Sequence, residues 1–265
     1  MPLVALASVK ASPGVTTTAL ALAAAWPVRR RLLIEADPSG GDLGPWLAVP
    51  PVPGLTSLAA EARHDHGQGL IWQHAQELAD GLHVVIAPAG AGQAAVCLST
   101  LAGTGVLAPF TRGPGVAVAD CGRLDPASPA MAVAAQATVT LLLVRPRVSE
   151  LSHLAPRITG LINAGLRLGL LLAPLGRRTN AEANYGAREI AATLHIPVHV
   201  SLPDDARTAT GLIASRGALP AGKPALTQAA AALAAALDAD TRPPQLPGLS
   251  GGPATSEVIA GERPV

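Results

Sequence analysis

The feature that most constrains the fold is a series of short apolar segments separated by segments of helix length. Seven segments of strand length are continuously apolar instead of alternating between apolar and polar residues: 3–9, 31–36, 83–88, 115–120, 139–144, 168–174 and 196–202. Such runs are typical of parallel strands that are covered on both faces. The sequence therefore predicts an α/β fold with a doubly wound, mostly parallel sheet and helices on both faces.

The segments between these strands predict the helices. Helix-length stretches lie near 17–26, 92–103, 127–136, 149–163, 184–194 and 205–215, and the alanine-rich stretch 223–240 predicts a final helix. Residues 241–265 are rich in Pro, Gly and Ser and have no apolar period, so we expect a disordered tail. The predicted organisation is one domain over residues 1–240 and a tail over 241–265.

Composition excludes several classes of protein. The chain has 265 residues and a formal net charge of +1, so it carries no overall field that attracts nucleic acid or an anionic membrane. Two cysteines, Cys97 and Cys121, are too few for a disulfide framework, which favours a reducing, cytoplasmic location. The longest apolar segment, 131–144, is shorter than the roughly 20 residues of a membrane-spanning helix. We expect neither nucleic acid as a partner nor a membrane span.

The first predicted strand leads into a loop that contains glycine, "SVKASPGVTTT", at residues 8–18. In a phosphate-binding loop, G-x-x-x-x-G-K-[ST], backbone N–H groups surround phosphate, the lysine contacts it and the hydroxyl binds Mg²⁺. Aligning Gly14 with the second glycine places Thr16 at the Mg²⁺ ligand but Val15 at the lysine. The variant K-G-G-x-G-K-[ST]-[ST] fits better, because Lys10 matches its leading lysine. An ordinary turn after a strand is the alternative interpretation.

Carboxylates end two more of the predicted strands. Glu35 lies near the end of the second strand and Asp37 follows it, directly before a glycine-rich segment, and Asp120 ends the fourth. At the C-terminal ends of strands in an open α/β sheet, carboxylates lie at the ligand crevice, where they can orient water or hold Mg²⁺. The loop and these carboxylates are therefore predicted to converge on one site.

The order of these motifs resembles the ParA/MinD family of deviant-Walker ATPases over about residues 3–215. The segment "IEADPSGGDLGPWLAVPPVPGLTSLA" is similar to the second motif of the CpaE/TadZ branch, which is associated with Tad pili and related secretion systems. The segment "IPVHVSLPDDARTA", at 196–209, resembles the late segment that borders the adenine pocket in the family. The resemblance implies a SIMIBI-type P-loop NTPase fold that binds ATP with Mg²⁺ and forms an ATP-dependent homodimer.

The resemblance also implies roles for individual residues. Lys10 would be the deviant lysine that reaches phosphate across the dimer interface, and Asp37 the carboxylate that positions the attacking water. Glu35 stands where the family has its first aspartate. The residues implied to bind the nucleotide are Lys10, Gly14, Thr16, Thr17, Pro203 and Asp204. The residues implied to hold Mg²⁺, directly or through water, are Thr16, Asp37 and Asp120.

The chain departs from the family pattern at the loop. Val15 replaces the lysine that neutralises charge on the transferred phosphoryl group, which implies a rate lower by roughly 10² to 10³. Ala11 and Ser12 replace two glycines, so the loop is less free to adopt positive φ. The asparagine of the adenine-side element is absent from 172–176. Members of the CpaE/TadZ branch often lack the second lysine as well, so we expect weak or no ATP hydrolysis.

These features predict an ATP-binding switch or scaffold that positions or assists a Tad pilus or secretion assembly. Its expected partners are the proteins of that machinery and a second copy of the chain. Two other interpretations stay open: a pseudo-ATPase that binds partners without nucleotide, and a chromosome or plasmid partition ATPase.

Overall fold

The structure is a computed structural model that describes residues 2–11, 13–65, 67, 69–106, 115–175, 185–222 and 224–241. The strands are β1 (Leu3–Ser8), β2 (Arg31–Glu35), β3 (Gln76–Glu77), β4 (Leu82–Val85), β5 (Val116–Arg123), β6 (Val139–Val144), β7 (Leu168–Leu172) and β8 (Val198–Ser201). The helices are α1 (Val15–Ala25), α2 (Leu43–Leu47), α3 (Leu55–Glu61), α4 (Leu70–Gln73), α5 (Ala91–Thr104), α6 (Met131–Gln136), α7 (Val148–Asn163), α8 (Ala187–Leu194), α9 (Ala206–Ala214) and α10 (Ala225–Thr241).

The strands form one sheet in the order β3-β4-β2-β5-β1-β6-β7-β8. All neighbours pair in parallel except β3 and β4, which are antiparallel. From the central β1 the chain first builds one half of the sheet, through β2 and β4, and later the other half, through β6, β7 and β8. In open α/β sheets the ligand crevice lies where this winding reverses, at the C-terminal ends of the strands. The predicted doubly wound, mostly parallel fold is confirmed.

Two apolar clusters cover the two faces of the sheet. One contains buried side chains of α1, α2, α9 and α10, and the other contains those of α3 to α8. Successive strand residues alternate between the clusters, as Ala117 and Val118 of β5 do. Because both faces are buried, the central strands are apolar at most positions, as β1 and β6 are. Among the described residues, no helix has the length and hydropathy to cross a membrane.

Several predicted boundaries are wrong. The strand predicted at 115–120 continues to Arg123, and the helix predicted from residue 127 begins at Met131. The delay has a local cause: Asp125 Oδ1 accepts the N–H of Ala127 at 2.9 Å, which forms a turn before the helix. The predicted final helix begins at Ala225. Residues 242–265 of the predicted tail lie outside the described residues.

The region between β2 and β4 contains elements that the sequence does not predict. Helices α2, α3 and α4 have five, seven and four residues, and β3 has two. Elements of this length complete at most two helical turns, so they leave no recognisable apolar period. Their packing places the segment after β2 along the rim of the crevice.

Candidate functional site

A cavity of about 530 Å³ lies at the C-terminal ends of β1, β2 and β5, beside the start of α1. Its wall combines strand ends, the loop before α1 and the segment after β2: Ser8, Ala11, Gly14, Val15, Thr16, Thr17, Asp37, Ser39, Gly40, Asp42, Trp46, Gly122 and Arg123. A cleft of this volume is in the range of small-molecule sites. The structure thus brings together Gly14, Thr16, Thr17 and Asp37, as the sequence predicts.

The loop between β1 and α1 ends in a left-handed residue, Gly14, directly before the helix. Gly14 has φ 100° and ψ 37°, a left-handed conformation that favours glycine, although an added Cβ would meet no atom within 4 Å. Its carbonyl accepts the N–H of Thr18 at 2.9 Å and the Thr18 hydroxyl at 2.8 Å. The first N–H groups of a helix have no intrahelical acceptors, so the start of α1 can bind an anion.

Alanine at position 11 does not remove the positive φ from this loop. Ala11 has φ 62° despite its Cβ. A left-handed conformation costs a residue with a side chain roughly 1 to 2 kcal/mol. The sequence predicts that the loop is less free to adopt positive φ, whereas Ala11 adopts the left-handed conformation at this energetic cost.

Val15 brings an apolar side chain to the edge of the cavity. It is the first residue of α1, it is 6% exposed, and it belongs to the apolar cluster on the α1 face of the sheet. The position that would carry a phosphate-binding lysine therefore contributes packing and no charge.

Asp120 lies fully buried beneath the cavity, at the register positions of Leu6 on β1 and Glu35 on β2. Its Oδ1 accepts the N–H of Gly122 at 3.0 Å, and its Oδ2 has no hydrogen-bond partner among the described residues. Burial raises the pKa of Asp120 to about 6, and the Thr16 side chain and the Gly122 N–H oppose that rise. A buried oxygen without a partner is costly unless a ligand satisfies it.

Asp37 lies close to Asp120 because Gly122 has no side chain. A Cβ on Gly122 would lie 2.1 Å from Asp37 Cγ, and Gly122 also has φ 57°. Asp37 Oδ1 accepts the N–H of Ser39 at 2.7 Å, which orients the carboxylate. The sequence motifs do not single out Gly122, although a glycine two residues after a carboxylate at a strand end is the available signal.

The residues at the base of the cavity, around Asp120, fit Mg²⁺. Asp37, Asp120 and Thr16 offer two carboxylates and one hydroxyl, and Mg²⁺ is usually bound through one or two carboxylates together with phosphate oxygens and water. Among the described residues, no group of three or more His, Cys, Asp and Glu side chains could hold a metal. Phosphate oxygens and water would complete the coordination shell around these side chains.

Glu35 holds the rim of the cavity together and is not part of its wall. Its Oε1 accepts the N–H groups of Asp42 at 2.7 Å and Leu43 at 2.8 Å, and its Oε2 accepts that of Ala87 at 2.8 Å. Burial raises the pKa of Glu35 to about 7, while these N–H groups oppose the rise. Glu35 therefore fixes the segment after β2 against the end of β4.

Besides Asp120, which lies beneath the cavity, three of the predicted site residues are absent from the cavity wall. Lys10 is exposed, and its Nζ lies 2.5 Å from Nε2 of His153 in α7. Pro203 and Asp204 follow β8, the edge strand three places from β1 in the sheet. The roles implied for these residues, in a partner's site and beside the base, stay predictions.

Besides Gly122, two residues of the wall are not singled out by the sequence motifs. Trp46 belongs to the unpredicted helix α2 and is 38% exposed. Arg123 is the last residue of β5, beyond the predicted end of that strand. Their positions depend on short elements and on strand register, which local patterns do not show.

Solved structures share this fold. MinD, a cell division ATPase from Pyrococcus furiosus, is similar at a TM-score of 0.69 and 19% identity, over 90% of this chain and 98% of MinD. A ParA family ATPase from Chlorobium tepidum TLS has a TM-score of 0.69 and 15% identity, over 89% and 98% of the two chains. MinD from Pyrococcus horikoshii OT3, complexed with Mg-ADP, has a TM-score of 0.70 and 18% identity, over 89% and 96%.

No family model and no curated protein sequence matches the chain. At identities below 20%, the likeness concerns the fold. The eight-stranded, mostly parallel sheet and its helices have the fold of the MinD and ParA P-loop ATPases.

Proposed function

We propose that this chain is a ParA/MinD-like protein that binds Mg-ATP in the cavity beside α1 and acts as a switch or scaffold. The observation that carries the proposal is the buried Asp120 Oδ2, which has no partner among the described residues and lies near Thr16 and Asp37. The fold supports it, as does the Mg-ADP bound to a MinD of the same fold.

Different groups of the chain bind the phosphate groups and the Mg²⁺ of the nucleotide. The N–H groups at the start of α1 and the left-handed turn at Gly14 bind phosphate oxygens. The Thr16 hydroxyl and the Asp37 and Asp120 carboxylates bind Mg²⁺, which neutralises phosphate charge when it is bound. Glu35 holds the rim through three N–H groups, so the site needs little rearrangement on binding.

Weak or absent hydrolysis is part of the proposal. Asp37, oriented by the Ser39 N–H, can position a water molecule at the cavity. Val15 provides no cation for the charge that develops on the transferred group, and the loss of one preorganised group of this kind lowers a rate by roughly 10² to 10³. The chain then suits slow switching between bound states better than rapid turnover.

Calorimetric titration with Mg-ATP tests nucleotide binding. We expect binding that chelation of Mg²⁺ weakens, and a loss of roughly tenfold in Thr16→Val, which keeps the side-chain shape and removes the hydroxyl. Thr100→Val is the matched control, because Thr100 is half-buried on α5, away from the cavity wall, and its hydroxyl donates to the Val96 carbonyl at 2.9 Å.

The same titration separates the proposal from a second candidate, a pseudo-ATPase that binds partners without nucleotide. The apolar packing of Val15 and the strained backbone of Ala11 favour that candidate. Absence of heat, together with an unchanged melting temperature at millimolar Mg-ATP, would select it and reject nucleotide binding.

The switch consists of dimer formation across the cavity mouth. Lys10 is exposed and adjoins Ala11 of the cavity wall, so it is available to phosphate in a second subunit. Light scattering should give a mass near twice 26.5 kDa with Mg-ATP and near 26.5 kDa with Mg-ADP. Lys10→Ala should stay monomeric, whereas His153→Ala, which removes only the neighbour of Lys10, should still dimerise. Equal masses in ATP and ADP would contradict the switch.

The partner assembly is a Tad pilus or a related secretion system. Support comes from the resemblance of residues 34–59 to the second motif of the CpaE/TadZ branch. That segment contains α2, whose Trp46 lines the cavity, so the surface around it can respond to the nucleotide. Neighbouring genes for a secretion ATPase and pilus membrane proteins would support this assignment, and a gene for a centromere-binding protein would favour partition instead.

A further inference from the structure

One positively charged side chain lies in the cavity wall, whereas the described residues of the loop between β1 and α1 contribute no cation to that wall. Arg123 is exposed at the end of β5 and is the single Lys or Arg side chain among the described residues of that wall. The ion pairs found in the described part of the chain join His74 to Glu61 and Arg145 to Glu150, so none of them engages Arg123.

An irregularity in the pairing of β1 and β5 directs Arg123 to the cavity. Leu6 is opposite Asp120, but Ser8 is opposite Arg123, so β5 has one more residue than β1 between these pairs. Neighbours across a parallel pair lie on the same face, and a bulge changes which residue that is. Regular pairing would place Gly122 opposite Ser8 and turn Arg123 to the other face.

A backbone conformation and a hydrogen bond maintain this arrangement. Gly122 occupies the extra position with φ 57°, a left-handed conformation, and the Leu124 N–H donates to the Ser8 carbonyl at 2.8 Å. Ser8 and Arg123 consequently both line the cavity. The glycine that makes room for Asp37 is therefore the residue that also redirects Arg123.

We propose that Arg123 binds the phosphate groups of the nucleotide from within the same subunit and supplies the positive charge that Val15 does not. The inference rests on the proposed nucleotide site. Asp37 and Asp42 also line the cavity, so a polyphosphate entering it meets negative charge that a cation must offset. A guanidinium is suited to this role, because its planar set of donors pairs with phosphate oxygens in a bidentate manner.

Substitutions that change the charge at position 123 test the proposal. We expect Mg-ATP affinity, measured by calorimetry on the full chain, to fall in the order Arg, Lys, Gln, Glu. Arg123→Gln should lose about 10- to 100-fold, because hydrogen bonds to charged groups contribute about 1.5 to 3 kcal/mol. Arg123→Lys should keep part of the affinity, since it retains the charge and loses the bidentate geometry. Arg167→Gln is the control at an exposed arginine away from the cavity wall.

Each outcome of the series decides the proposal. Wild-type affinity in Arg123→Gln and Arg123→Glu overturns the role of Arg123 and leaves the nucleotide site intact. Failure of the wild-type chain itself to bind overturns both the site and this inference. A loss of Mg-ATP affinity in Arg167→Gln as large as that in Arg123→Gln shows an effect that is not specific to position 123. A fall in melting temperature that occurs in the Arg123 variants alone and parallels their loss of affinity shows an indirect effect. Either result overturns the role of Arg123.

Discussion

Replacing Asp120 with asparagine should stabilise the ligand-free protein at neutral pH. Asp120 is fully buried, and its Oδ2 has no partner among the described residues. The amide keeps an oxygen for the Gly122 N–H and removes the buried negative charge. The substitution therefore separates the cost of burying this charge from the hydrogen bond that orients the side chain.

The size of the effect follows from the pKa. Burial raises the pKa of Asp120 from 3.8 to about 6, so the folded protein binds this proton more tightly than the unfolded chain does. The stability that this proton contributes is present below the unfolded pKa and is lost as the pH rises from about 4 to about 6. The full loss is about 3 kcal/mol, since one pKa unit corresponds to about 1.4 kcal/mol.

Urea unfolding at a series of pH values measures this effect. The advantage of Asp120→Asn over the wild type should grow by about 2 kcal/mol between about pH 4.5 and about pH 8. The charge of Asp120 also raises the pKa of Glu35, so its removal adds to the trend in the same direction. The control is Asp125→Asn, at an exposed position where the amide oxygen can still accept the Ala127 N–H.

A constant difference between Asp120→Asn and the wild type across this pH range would refute the reasoning. So would an equal trend in Asp125→Asn, because the effect would then not depend on burial. The same variant should bind Mg-ATP less tightly, since it lacks the charge that Mg²⁺ would neutralise. Higher stability with weaker binding is the expected signature of a group retained for function.

Two further predictions concern Gly122 and Trp46. Gly122→Ala should lower the free energy of unfolding by about 2 to 4 kcal/mol in urea, because a Cβ would lie 2.1 Å from the Asp37 carboxylate. Gly105→Ala, with φ 69° in open space, should cost only about 1 kcal/mol, and equal losses would contradict the close contact. Mg-ATP should change the tryptophan fluorescence through Trp46 at the cavity. Trp46→Phe should abolish that change and Trp72→Phe should retain it; a response unaltered in Trp46→Phe would count against this cavity.

The fold was largely predictable, because its main signal is local in sequence. A strand buried on both faces must be apolar at nearly every position, so β1 and β6 can be recognised from their residues alone. The antiparallel strand β3 has two residues, and α2 has five. Elements that short are stabilised by the contacts they make, and their own residues carry too little pattern to predict them.

The candidate site was predictable in part. Gly14, Thr16, Asp37 and Asp120 stand next to strand ends or a helix start, and the topology of an open sheet brings such positions together. The burial of Asp120 and its raised pKa require knowledge of the neighbouring strands, because a pKa depends on the surroundings in three dimensions.

The sequence by itself determined the α/β class, and it indicated the loop after the first strand and the carboxylates that lie around the cavity. The tertiary structure alone decided that Glu35 holds the rim, that Gly122 admits Asp37, and that Arg123 faces the cavity. The physical reason is register: a shift of one residue between neighbouring strands moves a side chain to the opposite face of the sheet. That register is a property of the pairing between β1 and β5, which are more than 100 residues apart in the chain.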